Sequence, residues 1–202
     1  MGRDGSFGAG NRPNVSLGHV GHVLWAWDLA RSLLEEPLPR RWAHTQGVAE
    51  QAESLKDVLD ADADLVVASA WLHDIGYAPN LAETGFHPLD GARYLRSVEQ
   101  ADEHLCSLVA HHSGAVVEAD ERGMFDDLTG EFVLPRVDLL DVLTYCDMTT
   151  GPDGSHLSAE RRISEILDRY GPDDLVHRAI TRLKPDLLGT VRSVEARIGD
   201  GG

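Results

Sequence analysis

The sequence predicts an all-α domain, a helical bundle carrying one long irregular insert near residues 115–134. Three observations support this. Apolar residues recur at helical spacing through most of the chain. Alternating strand-like runs bounded by turn residues are nearly absent. Proline and glycine fall between the periodic segments, where they start or stop helices.

Residues 1–14 are rich in Gly, Arg and Asn and hold no apolar run, so they read as a flexible tail and not as a secretory signal. Residues 15–198 read as a single domain and 199–202 as a short second tail. A first helix is expected over Leu17 to Leu34, ended by Pro37 and Pro39, which lack the amide proton a helix needs. The second runs from Pro39 to Leu59, with Pro39 or Arg40 opening it. Asp62 or Asp64 can cap the third, whose apolar face includes Leu65, Val66, Ala68, Ser69 and Leu72. That helix should end near Gly76, where glycine lets the chain turn away sharply.

Pro88 suits the start of a short helix over Leu89 to Val98, and Ala101 to His112 form the next. Ala115 to Leu134 shows no sustained helical period and holds six acids between Glu118 and Glu131, so it reads as a lid or as a small hairpin through Glu131 to Leu134. Helical spacing resumes over Pro135 to Met148, then over Ser158 to Tyr170 with Ser158 as N-cap. The last helix follows Gly171-Pro172 and runs to Ile198, kinked or split by Pro185.

Composition narrows the function classes. The 42% apolar and 26% charged residues are ordinary for a globular chain and unlike a disordered one. With 18 Lys and Arg against 34 Asp and Glu, the net charge of −16 argues against a general binder of nucleic acid or anionic membrane. The longest apolar runs, such as Leu65 to Leu72, fall far short of the roughly 20 residues of a membrane span. Cys106 and Cys146 each sit in an apolar run, which fits a reduced, cytoplasmic protein with two core thiols.

Ten histidines are the unusual count. His44 lies in the first turns of the second helix, and His73-Asp74-Ile75-Gly76 closes the third. Asp and His at one helix end can bind a metal together, a hard oxygen beside a borderline nitrogen. Asp147 is a lone acid in the apolar stretch Tyr145-Cys146-Asp147-Met148, and a buried acid calls for a cation. His19 and His22 are read as a frayed helix start, and His104, His156 and His177 as solvated. The Thr149-Thr150-Gly151 segment can offer hydroxyls and amides to a substrate or form a plain turn. The four Trp are read as core.

His44, then His73-Asp74, then Asp147 on successive helices resembles the HD-domain superfamily of metal-dependent phosphohydrolases, over about Leu17 to Tyr170. The resemblance implies an all-helical HD-domain-like bundle with His44, His73, Asp74 and Asp147 around one metal. His87-Pro88-Leu89-Asp90-Gly91-Ala92 and the tandem His111-His112 are similar to the binuclear branch of that superfamily. There, His87 and His111, with His112 as a further candidate, would serve a second metal and Asp74 would bridge. The alternative for the tandem pair is that His111 alone is functional and His112 caps the helix end. Six or seven ligand-type residues also exceed what one ion requires.

The resemblance implies one or two divalent transition metals (Fe, Mn, Zn, Co or Ni) and hydrolysis of a phosphate ester or anhydride by metal-activated hydroxide. Arg41 lies one turn before His44 and is a candidate to hold a phosphate oxygen, its alternative being a surface ion pair. The expected partner is a small phosphorylated substrate such as a nucleotide, with no nucleic acid and no membrane, and a homodimer is admissible. Tyr77 stands where the binuclear hydrolases commonly have lysine. The stretch after His111-His112 reads Ser113-Gly114-Ala115 and holds no Gly-Tyr-Pro, which counts against a cyclic-di-GMP phosphodiesterase. Two other readings are a binuclear-iron oxygenase and a non-catalytic nucleotide-binding sensor.

Overall fold

The computed structural model describes residues 19–199, with side chains from residue 22 onward. The tail read at residues 1–14 lies outside the described residues, as does the side chain of His19, and the second tail overlaps them only at Gly199. Helix α1 spans His19–Leu34, α2 Pro39–Ser54, α3 Lys56–Leu59 and α4 Ala63–Leu72. Then follow α5 (His87–Ser97), α6 (Glu103–His111), α7 (Ala115–Arg122) and α8 (Phe125–Glu131). Helices α9 (Val137–Met148), α10 (Ala159–Arg169) and α11 (Leu175–Gly199) complete the fold, and no strand occurs among the described residues.

Helix α4 is apolar on all sides, the mark of a helix buried all round. Its Val66, Val67 and Ala70 join one core cluster with residues of α2, α9, α10 and α11. Its Ala68 and Leu72 join a second cluster with α1, α5, α6 and the 115–134 segment. The C-terminal end of α4, where His73 and Asp74 sit, is therefore delivered to the junction of the two clusters.

The expected second helix is cut at Leu55. The Ser54 hydroxyl donates to the Gln51 carbonyl at 2.6 Å, and the Leu55 amide turns to Ala52 O at 3.1 Å instead. Asp62 precedes α4 without capping it, because its carboxylate is taken by Arg136 at 2.8 Å. Ser158 does cap α10, accepting from the Arg161 amide at 3.4 Å. Pro185 does not split α11. It lies on the exposed face, where water can satisfy the carbonyl it leaves free.

The irregular insert is a correction. Residues 115–134 form α7 and α8, and no hairpin. Gly114 and Gly123, at φ 76° and 70°, are the left-handed residues that bound α7. Ala115, Ala119, Leu128 and Phe132 anchor the pair in the core. Four of its six acids are matched by cations: Glu118 with Arg122, Asp120 with Arg182, Glu121 with Arg178 and Arg182, and Glu131 with Arg93. Helices of eight and seven residues are too short for a period to stand out.

Both cysteines are buried free thiols, and burial pushes the Cys106 thiol up to about 11. Of the tryptophans only Trp42 is fully buried, packed at 5.6 Å against a half-buried Trp71. No described helix is long and apolar enough to cross a membrane.

Candidate metal centre

Five elements bring six ligand-type side chains together. Helix α2 supplies His44, the end of α4 His73 and Asp74, the first turn of α5 His87, the residue after α6 His112, and the end of α9 Asp147. They form two contiguous groups, His44–His73–Asp147 and Asp74–His87–His112, each with its ligand atoms within 4.8 Å of one another. His44, His73, Asp74, His112 and Asp147 are buried, and His87 nearly so.

Gly76 makes this convergence sterically feasible, though not by the sharp turn expected. It sits in a 3-10 turn, and an added Cβ would lie 2.0 Å from the His87 carbonyl oxygen and 2.7 Å from the Gly91 amide. Glycine here lets the end of α4 approach the start of α5 backbone to backbone. Asp90 pins the preceding loop from the other side, accepting from the Thr84 hydroxyl at 2.8 Å and from the Thr84 and Gly85 amides at 3.1 Å.

The histidines are oriented through their far nitrogens. Nδ1 of His44 donates to Gly151 O at 3.0 Å, Nδ1 of His73 to Ala70 O at 2.7 Å, and Nδ1 of His112 to Val109 O at 2.7 Å. A carbonyl accepts only from a protonated nitrogen, so in the neutral tautomer this selects, the lone pair of Nε2 faces the site. This is the arrangement that orients metal-binding imidazoles.

Those lone pairs meet carboxylates. His44 Nε2 lies 3.0 Å from Asp147 Oδ1. His73 Nε2 lies 3.2 Å from Asp74 Oδ2 without the alignment of a hydrogen bond, and is left a buried polar atom with no partner. His87 Nε2 lies 3.2 Å from His112 Nε2 and 3.4 Å from Asp74 Oδ1. Asp74 thus offers Oδ2 to the first group and Oδ1 to the second, the position a bridging carboxylate takes. The orphaned His73 nitrogen, the facing imidazole pair and the mixed N/O donor set all fit divalent transition metals.

Charge points the same way. Burial opposes ionisation of Asp74, but Arg41 and His73 hold its carboxyl well below the usual range. Asp147 is likewise depressed despite burial, chiefly by His44. Burial also works against a charge on His73, yet Asp74 and Asp147 draw a proton onto it. Desolvation keeps His87 and His112 neutral. Two buried carboxylates attract positive charge, and neutral imidazoles are available to share it.

Arg41 is no surface ion pair. Its guanidinium bonds Asp74 Oδ2 at 2.7 Å and lies 4.1 Å over the Tyr77 ring, which stacks on His87 at 4.0 Å. Groups that close to one ring must occupy opposite faces, so Tyr77 separates and mounts Arg41 and His87. Tyr77, read only as a missing lysine, is thus a positioning residue that sequence reasoning missed. Ser113 is another: at φ 50° its backbone is left-handed, and its hydroxyl donates to Asp147 Oδ2. A third is Arg162, whose Nη2 lies 3.9 Å from Asp147 Oδ1. No motif gave Ser113 or Arg162 a role, and Tyr77 drew notice only as a departure from one.

His111 is not brought to the site. Its Nε2 donates to Phe132 O at 2.9 Å, and burial keeps the ring neutral. The chain turns between His111 and His112, where α6 ends, and the two rings diverge. His112 is the member that faces the site. The hydroxyls of Thr149 and Thr150 also turn away, donating to Tyr145 O and Cys146 O at 2.7 Å. Gly151 reaches the site instead, through the carbonyl that holds His44. His22, His104 and His156 are exposed, whereas His177 is half-buried and bonded to Tyr170 O.

Comparison with known proteins adds three findings. A family profile described as HD domain matches residues 41–173, a span holding all six donors and Arg41. A tRNA (cytidine(56)-2'-O)-methyltransferase of Thermoplasma volcanium is 37% identical over 78 residues, 39% of this chain and 22% of that relative's length. No solved structure matches the chain.

Proposed function

The chain belongs to the HD-domain family, and from that premise we propose that it is a metal-dependent phosphohydrolase cleaving a phosphate ester or anhydride of a nucleotide or related small molecule. The observation that carries this reading is the convergence of four imidazole Nε2 atoms and two carboxylates at the buried end of α4. His44, His73 and Asp147 would hold one divalent ion, His87 and His112 a second, and Asp74 would span both. Ions bound there supply a water of lowered pKa and positive charge for the phosphoryl oxygens.

The chain's own residues do the rest. Gly151, Ala70 and Val109 carbonyls fix the ring tautomers, so no reorganisation is needed when a ligand arrives. Ser113 and Arg162 hold Asp147 in place. Arg41, locked by Asp74 and Tyr77, keeps guanidinium donors for a phosphoryl oxygen, which a protein of net charge −16 otherwise repels. In the reaction a water oxygen joins phosphorus, the P–O bond to the leaving group breaks, and the leaving oxygen takes the proton the water gives up. A cytoplasmic setting, which keeps the two thiols reduced, completes the proposal.

The test is phosphate release from a panel of nucleotides and from p-nitrophenyl phosphate, by protein purified anaerobically without chelators. His73→Ala and Asp74→Ala are expected to abolish release while circular dichroism stays that of the parent. Oxygen uptake with an iron-bound visible spectrum and no phosphate release would instead establish the oxygenase reading.

A further inference from the structure

A cavity of about 330 Å³ opens beside the donor cluster and shares His44 and Arg41 with it. Its apolar walls are Pro37, Leu38, Pro39 and Pro152, and its polar lining includes Arg40, Arg162 and Arg169. Among the described residues no carboxylate lines the cavity itself; Glu165 lies behind the arginines, 3.8 Å from Arg40, 2.8 Å from Arg162 and 3.2 Å from Arg169, and Asp153 acts on Arg40 from the same side as Pro152. Asp147, 3.9 Å from Arg162, is committed to the donor cluster, and Asp168 on the adjoining groove is exposed. The cavity is therefore a local excess of positive charge.

Arg162 shows that this excess is built for an anion. Its side chain is 6% exposed, yet Nε has no hydrogen-bond partner. A buried N–H left without an acceptor is destabilising. Arg162 lines both this cavity and the neighbouring groove formed by Asp74, His87, His112 and Asp147, so it joins the two. A phosphoryl oxygen entering the cavity would meet the guanidinium groups of Arg40, Arg162 and Arg169.

Resting on the phosphohydrolase reading, we propose that this cavity is a second phosphoryl subsite. The substrate then carries a chain of at least two phosphoryl groups. Its distal group lodges among Arg40, Arg162 and Arg169 while the scissile one lies at the donor cluster, and the bond cleaved is a phosphoanhydride. A monoester would leave the arginines unused.

Calorimetric titration of methylenediphosphonate and of methylphosphonate into the metal-loaded protein tests this. Arg40→Ala/Arg169→Ala is expected to weaken methylenediphosphonate by about tenfold or more and methylphosphonate by no more than about twofold. Metal content by elemental analysis should be unchanged. Arg162 is left in place, because it also lies 3.9 Å from Asp147 and its loss would disturb the donor cluster. The double variant is expected to fold as the parent does, because Arg40 and Arg169 reach solvent, and circular dichroism checks it. Equal losses for both probes, or none, overturn the subsite. Phosphate release from nucleoside di- and triphosphates and from p-nitrophenyl phosphate is followed in parallel: hydrolysis without probe discrimination removes the subsite alone, and discrimination without hydrolysis of any of them removes the hydrolase reading alone.

Discussion

Replacing Gly76 by alanine should open the joint between the end of α4 and the start of α5. The new Cβ would lie 2.0 Å from His87 O, 2.7 Å from Gly91 N and 2.8 Å from His87 C, all backbone atoms. Contacts of that kind are essentially never under 3.0 Å, so the two segments must part by about 1 Å, and no side-chain rotation relieves it. Overpacking of a close backbone approach costs about 1–3 kcal/mol. For a domain of this size that lowers the melting temperature by roughly 2–12 °C. The same displacement carries His87 away from Asp74 and His112, now at 3.4 and 3.2 Å. Metal content is then expected to fall from about two ions per chain to about one, the loss confined to the His87–His112 group. Differential scanning calorimetry and elemental analysis on one preparation read both effects. Gly130→Ala is the control, since a Cβ there meets nothing within 4 Å on an exposed helix. An alanine at position 76 with parental stability and full metal content would refute the account of this joint.

The tandem histidines should separate cleanly. His111→Ala is expected to keep the metal content and lose about 1–3 kcal/mol of stability, because Phe132 O loses its buried donor. His112→Ala should instead lose a metal, and elemental analysis with denaturant unfolding tells the two apart. Ser113→Gly should be the more stable of two variants that both lose the bond to Asp147, since glycine accepts φ 50° and alanine does not, by about 1 kcal/mol in thermal melts. Chelation of the loaded protein is expected to lower its melting temperature, because bound ions stabilise the folded state by mass action. A melt insensitive to chelator would argue against resident metal.

The helical class, the order of the helices and most of their bounds were legible along the chain. The period of α2, α9 and α10, the prolines at 37, 39 and 88, and the cap at Ser158 all act within a turn or two. The chain-order pattern His44, His73-Asp74, Asp147 was legible too, through its resemblance to the HD-domain superfamily. The insert was misread because α7 and α8 owe their existence to the burial of Ala119, Leu128 and Phe132 and to pairing with Arg178, Arg182 and Arg93, none of them local.

Which way a side chain points was not legible, and much of the site turns on that. His111 and His112 are interchangeable as letters, but one faces Phe132 and the other Asp74. Arg162 and Tyr77 carry no motif, and become part of the site only when α10 and the turn after α4 pack beside it. Gly76 suggested a turn and proved to be a close approach to α5, a distinction that needs both segments in place. Periodicity, capping and residue chemistry are short-range and survive in the linear order. The direction of each ring, the sharing of Asp74 between two groups and the cavity behind Arg162 arise from contacts between helices far apart in sequence, and packing alone decides them.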